Sequence, residues 1–255
     1  MSTARVSKTY RGQVPTTSGT RLLVALTAWM LASVAAGLAT NALAKSVAPD
    51  WASDPHNLAV VITAEVYALL VASLLLVVGG GDRNRTALAI KPVRGKEVLI
   101  ALAALGCVYV VSVLGYAVAG TLVSLEPSAT DVILGIGSDA GRLGGAGFWT
   151  RLLIIGRVLV LVPLGEELLF RGALFGWLRR RLSARWAIGI SSLLFAGIHQ
   201  IPIILPAAFL GGVAFAWLRE RTTSVVPGIV AHSINGLLFM LLSYLATDWA
   251  APLPI

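Results

Sequence analysis

Six side chains in the second half of the chain are of the types that activate water and hold a developing negative charge: Glu166, Glu167, Arg171, His199, His232 and Asn235. Glu166 and Glu167 are adjacent, inside the apolar text Val-Pro-Leu-Gly-Glu-Glu-Leu-Leu-Phe-Arg-Gly at 162–172. A carboxylate carried into hydrocarbon costs roughly 2.5–3.5 kcal/mol on insertion scales, and intramembrane ionisable residues mark functional sites by default. Neighbouring helical residues point about 100° apart, so the two glutamates take different partners. Arg171 is four residues after Glu167, the spacing that puts a Glu–Arg pair on one helical face. In low dielectric such a pair is a structural clamp. Glu166 is then left for the bundle interior, where a carboxylate can serve as a general base for hydrolysis. Pro163, three residues earlier, removes a backbone donor and allows a kink that admits water. A proton or cation relay in a transporter and a purely structural pair are the alternatives.

His199 closes the segment Phe195-Ala-Gly-Ile-His199. His232 and Asn235 lie three residues apart, on one helical face, and both can donate hydrogen bonds to an oxyanion. Depth can be counted at about 1.5 Å per residue from the basic loop at each helix end. Glu166 is about 11 residues from its loop, His199 about 13 and His232 about 8. Three helices thus bring Glu, His and His to a similar level, roughly 10–20 Å below the basic face.

The elements that must position these residues are transmembrane helices. The chain has 255 residues, 57% of them hydrophobic, and only 13% charged, against about 25% in soluble domains. Its mean hydropathy is +0.84. The apolar stretches lack the alternation of a β-barrel, so the expected fold is all-α, a polytopic bundle of about seven spans. These are roughly Leu22–Ala44, Leu58–Val78, Val98–Val123, Phe148–Trp177, Ala187–Leu205, Pro206–Leu218 and Val225–Ala246. The first is too long for a signal-peptide core and fits a span. The two around Pro202 and Pro206 are short and form one hairpin or are partly re-entrant. The fourth is long for a single perpendicular span. Three parts follow: a disordered basic tail at 1–20, N-terminal helices at 21–147 and a catalytic core at 148–247.

The net charge of +8 is not a nucleic-acid signature, because the cations sit in alternate loops. The loops 79–97, 178–186 and 219–224 are rich in Lys and Arg, whereas 45–57 and 124–147 carry Lys45 and Arg142 beside Asp50, Asp54, Glu126, Asp131 and Asp139. By the positive-inside rule the N-terminal tail and the basic loops face the cytoplasm. The expected location is the cell membrane, multi-pass, with the bilayer and a membrane protein or peptide as partners. Six glycines in 135–147 suggest a flexible outer loop, and Ala207/Gly211 and Ala208/Gly212 suggest helix packing. Asn84-Arg85-Thr86 has a glycosylation pattern but falls on the cytoplasmic side. Cys107 and His56 read as packing and surface residues, and the roles of Glu65 and Arg157 stay open, a pair across helices being one reading.

The three motifs, Glu166-Glu167-x-x-x-Arg171, Phe195-x-x-x-His199 and His232 followed by Asn235, resemble the CPBP (Abi) family. That family holds CAAX prenyl proteases of the Rce1 type and bacteriocin-processing or immunity proteins. The resemblance covers roughly residues 150–245. It implies an intramembrane endopeptidase, either glutamate-dependent or metallo-. In the glutamate scheme Glu166 and His199 activate water, and His232 and Asn235 stabilise the oxyanion, with Glu167 and Arg171 as structural support. In the metal scheme Glu166, His199 and His232 hold Zn²⁺, a legitimate catalytic count with a bound water. The glutamate scheme, with no cofactor, is favoured, because Arg171 competes with a metal's charge and no His-Glu-x-x-His is present. The alternative is a non-catalytic immunity or partner-binding membrane protein. One position departs from the family: its last motif commonly places Asn four residues after the His, where this chain has Gly236.

Overall fold

The computed structural model describes residues 18–53, 55–78, 88–122, 147–199 and 202–250, with 55, 56, 116–122 and 246–250 described by backbone alone. Most of the basic tail, the Asn84-Arg85-Thr86 pattern, the His56 side chain and the outer loop through 146 lie outside the described residues.

Every described secondary-structure element is a helix. In chain order they are α1 (Gly19–Val47), a short α2 (Pro49–Ala52), α3 (Pro55–Ser73) with a π-helical end at Leu74–Val78, α4 (Gly95–Leu122), α5 (Phe148–Gly156), α6 (Val162–Glu167), α7 (Phe175–Arg179), α8 (Ala184–Gly197), α9 (Leu205–Thr222) and α10 (Val226–Ala250). Among the described residues, four helices are long and apolar enough to cross a membrane: Gly19–Val47, Asn57–Val78, Gly95–Gly115 and Val226–Leu245. The protein is therefore a multi-pass membrane protein. The other three expected spans are helical but interrupted or short. The segment 148–179 is broken by π turns. Helix α8 has 14 residues, which at 1.5 Å each reach roughly 21 Å, short of the ~30 Å of hydrocarbon. Helix α9 is apolar at its start and carries Arg219, Glu220 and Arg221 at its end.

Local chemistry sets several helix ends. The Ser18 hydroxyl accepts the Arg21 amide at 3.1 Å and starts α1, satisfying a donor that the first turn leaves free. Glu97 reaches back to the Arg94 amide at 2.8 Å at the start of α4, the acidic half of a capping box. Helix α9 stops at Thr223, which is left-handed at φ 55° and returns its N–H to the Arg219 carbonyl at 3.0 Å. The stretch 148–179 is helical without a gap, but π turns at Arg157–Leu161 and Leu168–Leu174 flank α6. Pro163 sits at the start of α6. A proline lacks the N–H of an ordinary helical turn, and the preceding π turn absorbs that irregularity, as π-bulges do near functional sites.

This rod is the centre of the molecule. Helix α3 packs on its first half, α10 packs along Arg157–Glu167, and the α8–α9 hairpin closes on Leu168–Arg179. Helix α1 lies on α3, and α4 lies on α9 and α10. Glycines permit the close crossings. A Cβ on Gly212 of α9 would meet Ser192 Cα at 3.0 Å, so that position is a packing contact as expected, whereas Gly211 faces open space. A Cβ on Gly172 would meet the Leu88 carbonyl at 3.0 Å. There the segment before α4 folds over the rod. Leu88 and Ala89 are fully buried. The Val225 amide donates to the Ala89 carbonyl at 3.0 Å, and the Ser224 hydroxyl donates to the Lys91 carbonyl at 2.8 Å. At the same end, the Arg179 guanidinium grips Glu220 on α9 through three bonds of 3.0–3.2 Å. Planar bidentate pairing of this kind is among the stronger charge-assisted contacts.

Candidate active site

The two glutamates lie on the last turn of α6, and both are buried. Glu166 is 5% exposed, Glu167 0% and Arg171 1%. Arg171 Nη1 lies 3.1 Å from Glu167 Oε1, the expected i,i+4 ion pair. More holds the guanidinium than the sequence suggested. Its Nη2 donates to the Gly212 carbonyl at 3.2 Å. Its centre lies 4.2 Å from the Phe195 ring and 5.4 Å from the Phe215 ring, in range for cation–π attraction. The Arg171 carbonyl accepts from Arg219 Nε at 3.2 Å. One arginine therefore ties the rod to both helices of the α8–α9 hairpin.

His232, on α10, stands between the glutamates. Its Nδ1 is 3.3 Å from Glu167 Oε1, and its Nε2 is 3.8 Å from Glu166 Oε2. The expectation that the two glutamates serve separate partners is thus modified. An imidazole carries nitrogens on two edges, so one ring can meet two carboxylates that diverge around a helix. A carboxylate bound to Arg171 only accepts, so Nδ1 carries a proton. Nε2 is then an acceptor in the neutral ring and a donor in the imidazolium. Phe215 stacks on His232 with ring centres 5.3 Å apart and planes 24° apart, which fixes the ring plane. A Cβ on Gly228, one turn earlier in α10, would meet Glu167 Oε2 at 2.9 Å. The glycine is what lets α10 come this close to the carboxylate.

His199 enters differently. Its Nδ1 bonds the Phe195 carbonyl at 3.0 Å, and a carbonyl only accepts, so Nδ1 carries the proton and leaves Nε2 as an acceptor. Its ring is half-buried and packs edge-on against Phe195 at 5.0 Å, and Phe195 in turn lies 6.1 Å from the His232 ring. So Glu166, Glu167, Arg171 and His232 form one contiguous cluster, with His199 joined to it through Phe195. Asn235 is half-buried on α10, one turn beyond His232.

The cluster lies within a segment that resembles a known family. Residues 148–238 match the family model for Rce1-like proteins, described as type II CAAX prenyl endopeptidase Rce1-like. All six residues fall inside this Rce1-like segment. The chain is also 31% identical over 117 residues to the UPF0177 protein YxdF of Lactococcus lactis, covering 44% of this chain and 62% of that protein. The chain thus spans less than two thirds of the relative's length. No solved structure matches at a significant level.

At Gly236, four residues after His232, an added Cβ would lie 3.0 Å from the Val158 carbonyl and 3.1 Å from Val158 Cγ1. Gly236 is therefore where α10 rests on the first π turn of the rod, and the position has no room for an amide. Gly236→Asn is expected to lower stability by about 1–3 kcal/mol, as overpacking does. Thermal melting of the detergent-solubilised variant measures this, and an unchanged midpoint would refute the tight crossing.

Among the described residues no group of three or more His, Cys, Asp and Glu side chains is arranged to hold a metal ion, the set of Glu166, His199 and His232 included. The Arg171 cation on Glu167 disfavours a second positive charge beside it as well.

The sequence reading missed Tyr67. Its hydroxyl, from α3, donates to Glu166 Oε1 at 2.7 Å. A tyrosine in an apolar span carries no signal of its own. Glu65, two residues earlier, accepts the Thr40 hydroxyl on α1 at 2.6 Å. Arg157 acts electrostatically on the Tyr67 hydroxyl.

Proposed function

We propose that the protein is an intramembrane endopeptidase that hydrolyses a peptide bond of a membrane-associated protein or peptide, with Glu166 as the general base. The observation that carries this reading is the geometry of Glu166 Oε2. That oxygen is buried, has no hydrogen-bond partner among the described residues, and faces His232 Nε2 at 3.8 Å. A water placed about 2.8 Å from each atom bridges that distance. Oε2 takes the proton of the water, and the hydroxide attacks the peptide carbonyl. His232, protonated and held by Glu167, and the Asn235 amide donate to the oxyanion as it forms. His199 Nε2 helps orient the water. The Glu166 carboxyl then returns its proton to the departing amine. Glu167 and Arg171 keep their charges paired and hold His232 in place. No step uses a metal.

The alternation of basic loops supports an N-terminus in the cytoplasm of a cell-membrane protein, with cleavage near the cytoplasmic face.

The test is comparative mapping of protein N-termini in membranes from cells with and without the gene, beside cleavage by purified protein in liposomes treated with a zinc chelator. New N-termini that depend on the gene, and cleavage that survives chelation, are expected. Cleavage lost to chelator and restored by zinc would reject the metal-free scheme. If no N-terminus depends on the gene while a bacteriocin or other partner still binds, the protein is a non-catalytic binding or immunity factor instead. Flux dependent on Glu166 without proteolysis would make it a transporter.

A further inference from the structure

The Rce1-like segment does not hold the whole site. Glu166 Oε1 is bonded by Tyr67, which lies on α3, about eighty residues before the segment begins. We propose that Tyr67 is a positioning residue for Glu166: it occupies Oε1 and thereby turns Oε2 toward His232 and the attacking water. This rests on the reading of Glu166 as general base.

Four observations carry the assignment. The bond is short, 2.7 Å from hydroxyl to carboxylate, in the range of charge-assisted pairs. It divides the carboxylate, since Oε1 is engaged and Oε2 has no hydrogen-bond partner among the described residues. The tyrosine ring itself is located by the catalytic rod, because a Cβ on Gly165 would meet Tyr67 Cδ1 at 3.0 Å and Leu70 Cδ2 at 3.3 Å. Gly165, beside Glu166, is thus the notch in which α3 seats. Finally, α3 is held at this level from behind. The Trp29 indole of α1 donates to the Val66 carbonyl at 2.8 Å, and Thr40 of the same helix bonds Glu65. Both bonds fall on the two residues immediately before Tyr67, so α1 sets the depth at which the hydroxyl meets Glu166.

The charged and titratable groups around this carboxylate come from each neighbouring element. Glu167 and Arg171 come from the rod itself, His232 from α10, and Tyr67 from α3, with Arg157 acting on the tyrosine from the first π turn. The only one of these that bonds Oε1 among the described residues is Tyr67. The four-residue cluster is therefore completed by a helix pair that carries no family motif, which gives α1 and α3 a role in catalysis beyond anchoring.

The experiment uses the full chain in liposomes and the internally quenched octapeptide that the wild-type protein cuts fastest in a combinatorial library. Wild type, Tyr67→Phe and Glu166→Gln are compared for kcat and KM, with thermal midpoints and the infrared carboxylate stretch recorded in parallel. Tyr67→Phe keeps the ring in the Gly165 notch and removes only the hydroxyl. It is expected to lower kcat about tenfold or more, the range for a bond to a charged group, with KM within about twofold, as for an interaction that acts in the transition state. It should also shift the carboxylate stretch that disappears in Glu166→Gln. A merely structural tyrosine would move the midpoint and leave kcat and that band in place. If Tyr67→Phe turns over like wild type while Glu166→Gln is silent, the positioning role is overturned and the general base stands. If wild type cuts no peptide, or Glu166→Gln cuts as fast as wild type, the general base falls and the positioning role falls with it.

Discussion

Glu166→Gln is expected to abolish cleavage while leaving folded yield, elution volume and melting midpoint at wild-type values. Glutamine has nearly the same shape as glutamate, and its side-chain carbonyl can still accept the Tyr67 hydroxyl that Glu166 Oε1 accepts at 2.7 Å. What is lost is the proton-accepting oxygen opposite His232 Nε2. Positioned acid–base groups contribute about 10²–10⁴-fold to rate, and here one carboxyl is assigned both proton transfers, so a loss near the upper end is expected. The same substitution also removes a buried charge, so stability should hold or rise slightly. Normal cleavage by Glu166→Gln would remove Glu166 from the mechanism. A collapse in yield would make it a structural partner of Tyr67 and His232 instead.

The second large effect is on stability. Arg171→Ala leaves Glu167, which is fully buried, without its guanidinium partner. Breaking one side of a buried ion pair costs about 3–5 kcal/mol. The contacts of the guanidinium with Phe195 and Phe215, and its bond to the Gly212 carbonyl, are lost as well. For a protein whose whole stability is about 5–15 kcal/mol, the expected result is low yield and a sharply reduced melting midpoint. The double variant Glu167→Gln/Arg171→Met removes both charges and is expected to recover much of that loss, because no charge is stranded. Thermal unfolding followed by tryptophan fluorescence separates the variants. A wild-type midpoint for Arg171→Ala would show that the pair is not a clamp.

Both predictions rest on features of unequal visibility in the sequence. The Glu167–Arg171 pair is a local matter: four residues on a helix bring two side chains to one face, so spacing alone was sufficient. Gly212 as a packing position was legible for a similar reason, since small residues four apart make a helix-crossing surface. The common depth of Glu166 and His232 was legible from counting along the helices. Depth says nothing of azimuth, however. The count assigned His199 to the same level as the glutamates, and the structure brings His232 to them directly and His199 through the Phe195 ring. The span count was legible only in outline. Hydropathy marks 148–177 as one long apolar segment, but it does not register π turns or the shortness of α8, which depend on backbone hydrogen-bond register rather than on polarity.

What the sequence determined by itself is the class of molecule and the inventory of its chemistry: an all-helical membrane protein carrying two buried glutamates, an arginine to neutralise one of them, and histidines from other helices. These follow from composition and from the 3.6-residue period, which act within a segment. Only the tertiary structure decided which histidine faces the glutamates, that Tyr67 holds Glu166, and that Gly236 is filled by the Val158 backbone. Those outcomes depend on how each helix is rotated and how far it slides against its neighbour. Rotation and slide are set where Gly165, Gly212, Gly228 and Gly236 let helices and side chains approach within a side chain's width, and a glycine in a sequence does not name the residue that will fill the space it leaves.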